Sequence, residues 1–191
     1  MSDLSDHRRR SIRLKGFDYT QPGAYFVTIC TDQRALLFGD VVSGQMRCNT
    51  FGQIAHEEWW LGEKKRSDIQ LDAWTVMPNH VHGIVGILPG PRGTARRAPT
   101  VFPRSFGKAV AGSLSTLVGA YKSAVARHIN KVRGTPGQEV WQRGYYEHVV
   151  RNDDELKHIH EYILANPQRW PFDPENPVAT VTEENLEAWE L

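Results

Sequence analysis

Two histidines flank a single residue in His80-Val81-His82, inside the strand-like stretch Leu71 to Val85. Side chains at i and i+2 of a strand share a face, so the two imidazoles point the same way and can grip one divalent ion. Val81 points oppositely and enters the core with Ile84 or its neighbours. The plainer alternative is a pair of partly buried strand histidines with ordinary hydrogen-bond partners. A tyrosine favours the metal reading: Tyr162 lies in a helix-like run from Asp153 to Pro167 near the other end of the chain. A phenol is a nucleophile and a bound cation activates an electrophile, so together the three residues form a candidate reaction centre.

The elements that must position these groups can be read from periodicity and turn residues. Gly23 to Thr31 is rich in aromatic and β-branched residues and follows the turn Pro22-Gly23, which predicts the first strand. Leu36 to Asn49 reads as a small hairpin turning at Ser43-Gly44. From Asn49 or Thr50 to Arg66 the pattern is an amphipathic helix with one of those two residues as its N-cap. Strands follow over Ile69 to Val76 and Val81 to Leu88, joined by Met77-Pro78-Asn79. Residues 89–104, rich in proline, glycine and arginine, predict a flexible loop. Apolar residues from Val110 to Ile129 predict the longest helix, Ser105 to Val132, broken by Gly134-Thr135-Pro136-Gly137. An extended segment spans Val140 to Val150, and Asn152 or Asp153 caps the tyrosine helix, which Asn166-Pro167 ends. The order strand, helix, strand, strand, helix, strand, helix predicts an α+β fold. It is a ferredoxin-like split βαβ antiparallel sheet with helices on one face and an added C-terminal helix carrying the tyrosine.

The chain has 191 residues, 40% hydrophobic and 24% charged, enough for one domain with a real core. No apolar run approaches the roughly 18 residues of a membrane helix. Met1 to Arg13 is polar and arginine-rich with no apolar core, so it does not read as a secretory signal, and a cytoplasmic location follows by default. Cys30 and Cys48 lack metal spacing and are expected as reduced thiols without a function. The net charge of +1 conceals an asymmetry. No acid occurs between Asp72 and Glu139, whereas that interval carries Arg92, Arg96, Arg97, Arg104, Lys108, Lys122, Arg127, Lys131 and Arg133. A second basic group, Arg8, Arg9, Arg10, Arg13 and Lys15, forms either an arm that follows a phosphate backbone or a solubilising tail. Acids dominate towards the C-terminus. The expected organisation is a basic arm over 1–20, a catalytic domain over 21–170 and an acidic tail over 171–191.

Several segments together resemble one family. They are Arg10-Ser11-Ile12-Arg13-Leu14-Lys15-Gly16 with Gly23 to Thr28, then Val76-Met77-Pro78-Asn79-His80-Val81-His82, Val140-Trp141-Gln142-Arg143, and Glu161-Tyr162-Ile163 with Asn166-Pro167. The chain from Arg8 to Trp170 is similar to the HUH (histidine, hydrophobe, histidine) single-tyrosine transposases, in the branch called REP-associated tyrosine transposases after repetitive extragenic palindromes. The resemblance implies a ferredoxin-like sheet with the histidines on a central strand and Tyr162 as nucleophile. It also implies Mg or Mn as cofactor and hairpin-bearing single-stranded DNA as substrate. Related insertion-sequence enzymes place a glutamine four residues after the tyrosine, where this chain has the shorter Asn166.

On that reading Tyr162 attacks phosphorus, leaving a 5′-phosphotyrosine and a free 3′-hydroxyl, so that rejoining needs no ATP. With an ordinary pKa near 10, only about one tyrosine in a thousand is ionised at pH 7, a deficit of roughly 4 kcal/mol. A divalent ion on His80 and His82 offsets that by polarising the phosphate. Asn166, one turn beyond Tyr162, either completes the metal shell or caps the helix before Pro167. His158, one turn earlier, is left outside the catalytic set. Tyr145 and Tyr146 are rival nucleophiles, and Trp141 and Tyr146 either stack bases or pack. Arg8, Arg9, Arg10, Arg13, Lys15, Arg96, Arg97, Lys122 and Arg127 are the expected DNA contacts. A monomer and a homodimer both remain open, as do two other functions: a hairpin-binding regulator without turnover, and a metal-dependent DNA hydrolase that uses water.

Overall fold

The computed structural model describes residues 18–89 and 112–179. The basic arm residues Arg8, Arg9, Arg10, Arg13 and Lys15, the loop residues Arg96 and Arg97, and the tail beyond residue 179 lie outside the described residues.

Strands β1 (Gly23–Cys30), β2 (Gly39–Val42), β3 (Gln45–Cys48), β4 (Ile69–Met77), β5 (His80–Ile87) and β6 (Tyr146–Val149) combine with helices α1 (Thr50–Lys64), α2 (Leu114–Arg133) and α3 (Asp153–Arg169). The main sheet runs β4-β5-β1-β6 with every neighbouring pair antiparallel. Without the β2-β3 hairpin, the chain order is β1-α1-β4-β5-α2-β6, the split βαβ arrangement with α3 appended. Ser43 and Gly44 both have positive φ, 52° and 71°, the backbone of a type I′ turn whose twist suits a two-residue hairpin. No helix of the described residues is long and apolar enough to cross a membrane.

β1 and β5 are central strands, buried on both sides, which is why each reads as a nearly unbroken apolar run. Alternation divides their side chains between two cores. Tyr25, Val27, Ile29, Val81, Val85 and Ile87 pack with Ala55 and Trp59 of α1 and with Val118, Tyr121, Val125 and Ile129 of α2. On the opposite face Phe26 and Ile84 pack with Ile159 and Ile163 of α3. Val81 therefore enters the core with Val85 and Ile87, not with Ile84, which shares the face of the histidines. At Gly83 a Cβ would come within 2.4 Å of the Trp59 ring, so only glycine lets α1 approach the strand that carries both histidines.

Side-chain caps define the helix starts. Asn49 Oδ1 accepts from the Phe51 and Gly52 amides, and Asn152 Oδ1 accepts from the Glu155 amide. Three expectations change. α2 begins at Leu114, capped by Ser113, because Gly112 just before it adopts φ 79°, incompatible with a continuing helix; the expected turns from Ser105 to Ala111 lie outside the described residues. The extended segment from Val140 narrows to β6, with Trp141 making an isolated bridge to Thr31. The residues between turn out of the sheet, held by Lys122 Nζ donating to the Gln142 and Gly144 carbonyls. Finally, α3 does not stop at Asn166-Pro167 but continues to Arg169. Proline there removes one donor, yet Ile159 and Ile163 are wholly buried on the sheet and keep the helix in place across it.

Candidate active site

His80 and His82 open β5, the strand between β4 and β1, and both are almost completely buried. Their Nε2 atoms lie 3.0 Å apart. Behind them, His80 Nδ1 meets Asn79 Oδ1 at 2.8 Å and His82 Nδ1 meets the Thr28 hydroxyl at 2.8 Å, so both rings are held from the far side. The Tyr162 hydroxyl lies 3.3 Å from His82 Nε2, although 80 residues separate the two in sequence. Phe26 supports this approach: it stacks on the His82 ring and meets the Tyr162 ring edge-on.

Asn166, one turn beyond Tyr162, is fully buried and faces the same centre. It is not a helix cap, because α3 runs on past it. The residue not anticipated is Asp173. Its position was expected to begin an acidic tail, yet Trp170–Phe172 form a 3-10 turn and Asp173 is 1% exposed, with Oδ2 3.7 Å from His80 Nε2. One ligand atom each from His80, His82 and Asp173 all lie within 4.8 Å of one another. Asp173 Oδ1 accepts from the Glu175 amide, whereas Asp173 Oδ2 and both amide atoms of Asn166 are buried without a hydrogen-bond partner.

Such orphaned polar atoms are costly unless something else meets them. Two imidazoles, one carboxylate and one amide oxygen form a donor set that fits a divalent ion. The electrostatics agree. Burial lowers the His80 pKa to about 3 and holds His82 well below its usual value, so both rings keep a lone pair at neutral pH. Burial raises Asp173 to about 6 and, with the carboxylates of Asp173 and Glu175, pushes the Tyr162 phenol above its ordinary value. The raised Asp173 and Tyr162 values mark anions that a bound cation would stabilise, while the neutral histidines keep the lone pairs that would bind it.

The other expected residues divide clearly. Lys122 is taken up by the Gln142 and Gly144 carbonyls. Arg127 is exposed on α2, the helix across the sheet from Tyr162. His158 is an exposed residue of α3. Of the rival tyrosines, Tyr146 packs edge-on to Phe26 and Tyr145 packs against the α1-α2 core. Trp141 is a core residue: its Nε1 donates to the Lys122 carbonyl and its ring lies against Phe38 and Tyr121. Both cysteines are free thiols, with Cys30 Sγ 3.4 Å from Glu175 Oε2.

No model of a known protein family matches the chain. A Haemophilus influenzae protein described as uncharacterized is 33% identical over 171 residues, which span 87% of this chain and 92% of that protein. Among solved structures, a REP-associated tyrosine transposase bound to a REP hairpin superposes with a TM-score of 0.53 at 21% identity, over 80% of this chain and 71% of that one.

Proposed function

We propose that this chain, which belongs to one family with the Haemophilus influenzae protein and has the fold of a REP-associated tyrosine transposase, cleaves and rejoins single-stranded DNA through Tyr162. One observation carries the reading: a phenol on α3 and two imidazoles on β5 converge, the hydroxyl 3.3 Å from His82 Nε2, beside the buried Asp173 Oδ2 and the Asn166 amide, which have no hydrogen-bond partner.

The Tyr162 oxygen forms a bond to phosphorus as the bond from phosphorus to the 3′ oxygen breaks, and that oxygen leaves as a hydroxyl. The phosphodiester energy is kept in the tyrosine ester. Attack by a 3′-hydroxyl reverses the step and joins the strand. His80, His82 and Asp173, with Asn166 beside them, would hold a divalent ion, Mg or Mn, which when bound would supply positive charge beside the phosphate and the phenol. The chain's own residues do the rest. Phe26 fixes the direction of the Tyr162 ring, Thr28 and Asn79 fix the imidazoles, and burial by α3 keeps water from competing with the phenol. Substrate phosphates are held by the arm residues Arg8, Arg9, Arg10, Arg13 and Lys15 and by Arg96 and Arg97 of the loop, and the hairpins of repetitive palindromes are the substrate class. On this reading the chain comprises the arm over 1–20 and a catalytic domain that extends past residue 170 to include Asp173.

Labelled single-stranded DNA with a palindromic hairpin, incubated with the protein and Mn, should yield a covalent adduct that survives denaturation. Tyr162→Phe should abolish it and leave hairpin binding intact. Cleavage that persists in Tyr162→Phe with no trapped protein would mean that water, not the phenol, is the nucleophile. Binding with neither cleavage nor adduct in the wild-type protein would make the chain a regulator.

A further inference from the structure

Asn79 is completely buried and uses its amide in two directions at once. Its Nδ2 lies 2.6 Å from the Glu175 carbonyl and 3.3 Å from the Arg34 carbonyl. Both partners are pure acceptors, so the amide nitrogen must sit there and the group cannot be flipped. Oδ1 is thereby aimed at His80 Nδ1, 2.8 Å away. An amide oxygen only accepts, so His80 must carry its proton on Nδ1 and present a bare Nε2 to the centre. The same amide holds the segment that delivers Asp173. Glu175 is anchored through its carbonyl by Asn79 and through its carboxylate by Arg34 Nε at 3.0 Å, while Arg34 Nη1 donates to the Pro174 carbonyl. Two residues upstream of that anchor, Asp173 turns Oδ2 towards His80.

We propose that Asn79 is the positioning residue of the metal centre: one amide sets the tautomer of His80 and locks the 173–176 strap that brings Asp173 to it. This rests on the metal reading of the site given above. The two requirements are linked by geometry, since rotating the amide to serve one would break the other. His82 has no such constraint, because the Thr28 hydroxyl can donate to or accept from its Nδ1.

Two measurements on the full chain test this. Nitrogen NMR of the histidine rings in the metal-free wild-type protein should show His80 protonated at Nδ1 and bare at Nε2; a proton on Nε2 overturns the proposal. Titration with Mn alone should then give an affinity about 10–100-fold lower for Asn79→Ala, the usual cost of losing a residue that orients a ligand. The His80 tautomer preference should vanish in the same variant, with circular dichroism unchanged. Asn79→Ala that binds Mn as tightly as the wild type overturns the proposal, and if it fails to fold, the wild-type NMR result alone decides. If wild-type protein and His80→Ala bind Mn equally poorly, the metal reading itself has failed, a result distinct from any of these.

Discussion

His80 and Asp173 are buried side by side yet respond to acid in opposite senses, which makes the centre testable without DNA. His80 has a folded pKa of about 3 against an ordinary value near 6.5. Above pH 6.5 neither folded nor unfolded chain carries its proton. As pH falls, the unfolded chain takes up a proton that the folded one refuses, so stability declines by up to about 1.4 kcal/mol per pH unit. His82, lowered for the same reason, acts in the same direction. Asp173 acts oppositely: its folded pKa of about 6 lies above the usual carboxylate value, so between pH 6 and 4 the folded chain binds the extra proton and gains stability. Two losses against one gain leave a net loss of stability from this cluster as pH falls through that window. Urea unfolding without metal should show Asp173→Asn losing stability more steeply than wild type between pH 6 and 4, and His80→Gln less steeply. Identical slopes in all three proteins would contradict the burial that defines the site.

At the level of elements, what could be read in advance was what depends on local periodicity. Strand alternation put His80 and His82 on one face, helix spacing put Asn166 above Tyr162, and capping residues marked the starts of α1 and α3. Asp173 was not legible, because in sequence it is one acid in an acidic stretch. Only the strap tied down by Arg34 and Asn79, 140 and 96 residues away in the chain, turns it inward. Pro167 misled for a related reason: it is a valid local stop signal, overridden here by the anchoring of α3 on Phe26 and Ile84. That anchoring is measurable by comparing adjacent residues. Ile163 is fully buried, and Ile163→Ala should cost about 2–5 kcal/mol in chemical denaturation. Leu164, 70% exposed on the other side of the helix, should cost less than about 0.5 kcal/mol as Leu164→Ala. Equal effects would mean that α3 does not rest on the sheet through this face, and the placement of Tyr162 would fall with it.

Over the whole molecule the charge distribution, not the net charge of +1, governs how a polyanion meets the protein. The acid-free interval from Ala73 to Gln138 supplies cations, but the fold sorts them by function. Lys122 is sequestered: its ammonium joins α2 to the 142–144 turn, and burial lowers its pKa. The arm carries five basic residues within Arg8 to Lys15, the densest such group in the chain. If the arm follows a DNA backbone, each neutralised phosphate releases counterions, and the logarithm of affinity falls with the logarithm of salt by about 0.7 per contact on single strands. Replacing Arg8, Arg9 and Arg10 by alanine should therefore flatten the salt dependence of hairpin binding by about 2 in slope, while leaving the unfolding midpoint where it was. Lys122→Ala should do the reverse, lowering the midpoint and leaving the slope alone, because it removes a tie between α2 and the turn before β6 rather than a phosphate contact. A slope that responds to Lys122 and not to the arm would reverse these assignments and place the DNA on the α2 side of the sheet, away from Tyr162.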